Sequence, residues 1–137
     1  MAKLDEAIQS EIDALDDESN ITYDNGDYNA TIEILKKMWE KLPNPKVVYD
    51  DSYHIARFIA LISLELKNFQ QAKKWAEITK SCDPERQDIG EKEFLIGKVA
   101  YESGDMLEAK RFLKIANNKS GGRCFSSDDK KYKQLIK

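Results

Sequence analysis

Two cysteines, one histidine, three prolines and six glycines are all that 137 residues contain of the types that usually carry chemistry or break helices. Cys82 and Cys124 stand far apart, with no paired spacing for a metal or a redox motif, so free thiols in a reducing compartment are expected. The lone histidine, His54, has no second histidine to share a zinc ion. No stretch approaches the roughly 20 apolar residues that a membrane-spanning helix needs. The opening Met1-Ala2-Lys3-Leu4-Asp5-Glu6 sets acids where a secretory leader carries a basic and then an apolar segment, so export is not expected and a cytoplasmic location is. Sequons at Asn20, Asn29 and Asn118 then read as accidents of composition. With so little proline and no glycine- or serine-rich linker, the spacing predicts a single domain over residues 1–137.

Acid and base are unevenly spread. Residues 1–27 hold nine acids and one base, whereas the remaining 110 residues hold 21 bases and 16 acids. An acidic end of this kind argues against nucleic acid, which calls for a positive footprint, and suits a basic protein or peptide. A solvated acidic helix face accounts for the same pattern.

Three segments superimpose as short turns between helical patterns: Asn25-Gly26-Asp27-Tyr28-Asn29-Ala30-Thr31, Leu66-Lys67-Asn68-Phe69-Gln70-Gln71-Ala72 and Ser103-Gly104-Asp105-Met106-Leu107-Glu108-Ala109. Gly26 and Gly104 suit a position just past a helix end, and the Asp or Asn that follows suits the cap of the next helix. Lys67 replaces glycine in the middle copy, which predicts a strained turn or one built differently. After each turn runs an apolar stripe at helical spacing: Tyr28, Ile32, Leu35, Trp39 and Leu42; Phe69, Ala72, Trp75, Ala76 and Thr79; Ala109, Phe112, Leu113 and Ala116. Before each turn lies a partner helix, marked by Ile8, Ile12 and Leu15, by Ile55 to Leu66, and by Phe94 to Tyr101. The middle one is apolar around most of its circumference, which places it at a centre. A last short helix is expected from about Asp128 to Ile136, after a turn at Gly121-Gly122.

The pattern resembles the tetratricopeptide repeat, whose units span about 34 residues. Its signature positions fall on Glu93, Ile96, Gly97, Ala100, Ala109 and Leu113 in the third copy, and on Ala56, Ile59, Ala60, Ser63, Ala72, Ala76 and Pro84 in the second. In the first copy they fall on Leu15, Glu18, Ser19, Thr22, Thr31, Leu35 and Pro43. The turns lie 41 and 37 residues apart, so insertions are expected around Asn44 to Asp51 and Glu85 to Ile89. The resemblance covers roughly residues 12–122. It implies an all-α, right-handed solenoid of three antiparallel helix pairs, with repeats at about 4–43, 51–84 and 89–118. The helix over about 128–136 would cap the stack through Tyr132, Leu135 and Ile136, or else fold into the groove as an internal ligand.

In such a family the first helix of each pair lines a concave groove. Carried over residue by residue, that groove comprises Asp13, Asp16, Asn20, Tyr23 and Asp24, then His54, Arg57, Leu61, Leu64 and Glu65, then Glu91, Phe94, Lys98, Tyr101 and Glu102. Leu61 and Leu64 also read as core, and Tyr23 and Tyr101 as packing against neighbouring turns. Asp16 stands one turn before Asn20, where the carboxylate-gripping versions of the family carry lysine, so a neutral or cationic ligand is expected. No nucleophile and base at recognisable spacing, calcium loop or phosphate loop occurs, so catalysis, cofactor and metal are not expected. The resemblance implies a module that binds another protein or peptide. Alternative roles are an immunity-type inhibitor of a cognate bacterial toxin, suggested by small size and the acidic end, and a non-catalytic or chaperone-like subunit of a larger complex.

Overall fold

Three tight turns set the architecture of the computed structural model, which describes residues 3–84 and 89–137. They join α1 (Glu6–Asp24) to α2 (Tyr28–Lys41), α3 (Asp50–Glu65) to α4 (Phe69–Ser81), and α5 (Glu91–Glu102) to α6 (Met106–Ser120). A final short helix, α7, spans Lys130–Leu135, and the described residues contain no strand. The chain divides into two compact units, Met1–Pro84 with α1 to α4 and Glu85–Lys137 with α5 to α7.

Each turn closes with the same hydrogen bonds. Asp27, Asn68 and Asp105 donate their backbone N–H to the carbonyls of Thr22, Ser63 and Ala100, each at 2.9 Å. Their side-chain oxygens accept from the N–H of Ala30, Gln71 and Glu108 at 3.2–3.3 Å, so the expected caps are in place. The residue between helix end and cap is left-handed in every copy: Gly26 at φ 78°, Gly104 at φ 92° and Lys67 at φ 59°. The middle turn is therefore built like the others, with a lysine held where glycine is comfortable.

Small buried residues let the two helices of each pair approach closely. Ser19 and Thr31, Ala60 and Ala72, and Gly97 and Ala109 are all buried. In the first pair the hydroxyls of Thr22 and Thr31 lie 2.7 Å apart. Buried hydroxyls elsewhere bond back one turn along their own helices, Ser63 to the Ile59 carbonyl at 2.7 Å and Thr79 to that of Trp75 at 2.6 Å. Among the described residues no buried side-chain nitrogen or oxygen lacks a partner.

In the first unit α3 sits between α2 and α4 and buries Tyr53, Ile55, Ala56, Ile59 and Ile62. Its apolar circumference is used as expected, with Leu61 and Leu64 half-buried. The α2 stripe is wider than the sequence reading: Ile34 and Met38 join Ile32, Leu35 and Leu42 in the core. Trp39 of α2 meets Trp75 of α4 edge-on, with ring centroids 5.3 Å apart. The insertion around Asn44 to Asp51 forms a 3-10 turn at Lys46–Val48, and Asp83 donates its N–H to the Val47 carbonyl at 2.8 Å. The second insertion, around Glu85 to Ile89, lies outside the described residues except for Ile89.

In the second unit α5 and α6 close on each other through Gly97, Leu113 and Ala109. Lys119 of α6 pairs with Glu93 of α5 at 3.1 Å. Helix α6 ends at Gly121, φ 62°. Asp129 then accepts from both the N–H and the hydroxyl of Ser126, at 2.8 and 2.9 Å, which closes a turn and delays the last helix to Lys130.

Candidate functional site

The acidic face of α1 and the first turns of α3 come together in the first unit around an open cleft of ≈ 250 Å³. Ile12, Leu35, Met38, Ile55 and Phe58 make its apolar walls, and Asp13, Asp16, Asp51 and His54 supply polar groups. Helical spacing explains the pairing: Asp13 and Asp16 are one turn apart on α1, and Asp51 and His54 are one turn apart on α3. Gln9 reaches between the two helices, its Nε2 donating to Asp13 Oδ1 at 2.9 Å and to Asp51 Oδ2 at 3.2 Å.

The cleft is short of positive charge. Among the described residues no lysine or arginine pairs with Asp13, Asp16 or Asp51, and His54 Nε2 lies 3.5 Å from Asp50 Oδ2. Partial burial, then repulsion from Asp17, Asp13 and Asp51, pushes the Asp16 carboxyl above its ordinary value. A cation arriving in the cleft would relieve that repulsion. The carboxylates do not converge as a chelate: the described residues contain no cluster of three His, Cys, Asp or Glu able to hold a metal ion. Apolar walls beside dispersed carboxylates suit a long side chain with a methylene stem and a cationic head.

The other residues named from the sequence are distributed as follows. Asn20, Asp24, Arg57 and Glu65 are exposed on α1 and α3 and do not line the cleft. Tyr23 packs on Phe58, 5.4 Å between centroids, and stacks on Tyr28 at 5.3 Å, so it borders the α1–α3 face while leaning on its own turn. In the second unit Phe94, Lys98 and Tyr101 lie against Tyr132 of α7, Glu102 pairs with Lys131 at 2.6 Å, and Glu91 is exposed at the start of α5.

Asp51 and Phe58 were not read as site residues from the sequence. Both sit on the face of α3 that carries His54, and stepping one turn back from His54 reaches Asp51.

The Ser52 and Cys82 side chains are held by hydrogen bonds to backbone carbonyls. The Ser52 hydroxyl is buried and donates to the Tyr49 carbonyl at 2.7 Å, although it neighbours His54 in sequence. The buried Cys82 thiol bonds the Ile78 carbonyl at 3.2 Å. Burial is the main cause that pushes the Cys124 thiol above its usual value, away from thiolate. No described helix is long and apolar enough to cross a membrane. Compared with known protein families and with curated proteins, the chain matches none.

Proposed function

We propose that this protein is a non-enzymatic interaction module built of tetratricopeptide-like helix pairs, and that the α1–α3 cleft takes a basic segment of a partner protein. The observation that carries this reading is the cleft's composition: apolar walls beside Asp13, Asp16 and Asp51, without a cation of the described chain to neutralise them. At ≈ 250 Å³ the cleft falls below the roughly 300–1,000 Å³ of small-molecule pockets and matches one or two side chains of a longer ligand. Lysine or arginine anchors would lay their stems on Ile12, Ile55 and Phe58 and their heads toward the aspartates. Association would be steered by the acidic α1 and weakened by salt. The two free thiols suit the reducing cytoplasm in which we place the protein.

The test compares a fluorescein-labelled peptide of alternating lysine and leucine with its counterpart carrying glutamate for lysine. The lysine peptide should bind, more weakly as salt rises, and the triple variant Asp13→Asn, Asp16→Asn and Asp51→Asn should lose about tenfold in affinity while keeping its helical circular dichroism. Equal binding of both peptides, or an unchanged affinity in the folded triple variant, refutes the assignment.

A further inference from the structure

The α5 face of the second unit is covered by the chain's own last helix. The Tyr132 ring stands edge-on to two others, 5.0 Å from Tyr101 and 6.0 Å from Phe94 between centroids. Ammonium groups flank it, with Lys98 Nζ 5.9 Å and Lys131 Nζ 5.2 Å from the ring centroid. Lys131 also bonds the Glu102 carboxylate at 2.6 Å.

This cover is short, with Phe125, Leu135 and Ile136 partly buried against the same cluster as Tyr132, and Phe125 edge-on to Phe94 at 5.5 Å. Helix α7 has six residues, far fewer than a helix needs to persist alone, and Tyr132 is the only buried one. The bridge to Glu102 is exposed, with half of the Lys131 side chain in water. Two consecutive left-handed glycines, Gly121 at φ 62° and Gly122 at φ 85°, lead into the segment. Beneath it α5 and α6 pack on each other, and Ala100, Ala109, Leu113 and Tyr132 form one buried cluster.

We infer that this face is a docking surface for a partner segment bearing an aromatic residue flanked by lysines, and that α7 occupies it in cis until such a segment displaces it. The chemistry of the occupant is read from α7 itself: a ring for the slot between Phe94 and Tyr101, and a cation for Glu102. A tethered tail competes at an effective concentration in the millimolar range, so loosening it raises the affinity for a ligand in trans. The inference is independent of the α1–α3 cleft, since none of these residues belongs to it.

The probe is a fluorescein-labelled synthetic peptide with the sequence of residues 128–137, added to the full chain and to its Tyr132→Ala variant. Fluorescence anisotropy should show the variant binding about tenfold more tightly than the wild type, and a peptide with alanine for its tyrosine should bind neither. No gain in a variant that retains its helical circular dichroism overturns the inference. Should Tyr132→Ala lose that signal, the exposed Lys131→Glu replaces it, with a gain of about threefold expected and no gain again overturning the inference. Light scattering identifies the remaining occupant: a wild-type dimer that the peptide splits would make a second copy's tail the natural ligand, which overturns the partner reading.

Discussion

Gly97 of α5 lies directly against Leu113 of α6: a Cβ added at Gly97 would stand 2.8 Å from Leu113 Cγ and 3.1 Å from its backbone nitrogen. Alanine in a helix interior ordinarily gains about 1 kcal/mol over glycine. Here the leucine is fully buried and its backbone cannot give way, so overpacking of about 1–3 kcal/mol outweighs that gain. Gly97→Ala should lower the urea midpoint with an unchanged denaturant slope, and adding Leu113→Ala should cost less in the Gly97→Ala background than in the wild type.

Lys67 offers the opposite case. It holds φ 59°, at the place where the two sister turns use glycine, and its carbonyl-bonded neighbours fix that geometry. The left-handed conformation costs a residue with a Cβ about 1–2 kcal/mol, part of which glycine returns through its freer unfolded chain. Lys67→Gly is expected to stabilise the first unit by about 0.5–1 kcal/mol, whereas Gly104→Lys should destabilise the second by a similar amount. Denaturant melts of both variants check the pair of signs.

These two positions also show why much of the fold was legible in the sequence. Turn chemistry and small residues act locally, so Gly26, Asn68 and Asp105, and Ser19, Ala60 and Gly97, announce helix pairs before any tertiary contact is known. All six of the small positions read from the repeat pattern are buried. The site was less legible. Asp13, Asp16 and His54, named from the groove pattern, line the cleft together with Asp51 and Phe58; α3 packs on α2 and thereby brings its first turns beside α1, which spacing within one helix does not encode. Phe94, Lys98 and Tyr101 were read as groove residues, with the last helix either capping the stack or folding into the groove; Tyr132, which meets them, lies some thirty residues further along the chain. Its seat depends on the local turn that Ser126 makes with Asp129.

Asp16 supplies a prediction whose sign changes with pH. Burial and the charges of Asp17, Asp13 and Asp51 raise its carboxyl above the ordinary value of 3.8 in the folded chain. An acid shifted in this direction is better protonated when folded than when unfolded, so its ionisation opposes folding. Below the unfolded value both states hold the proton and the residue is neutral to stability; as pH rises through the interval up to the raised folded value, stability is lost and stays lost above it. Asp16→Asn should therefore raise the urea midpoint at pH 7 and leave it unchanged well below pH 3.8, where the wild-type carboxyl is already protonated. The same repulsion makes a bound cation favourable, so the lysine peptide should draw the Asp16 carboxyl back toward its ordinary value and release protons on binding at mildly acidic pH. Carboxyl NMR titration with and without the peptide measures that shift, and an Asp16 curve indifferent to the peptide would remove this residue from the cleft's binding role.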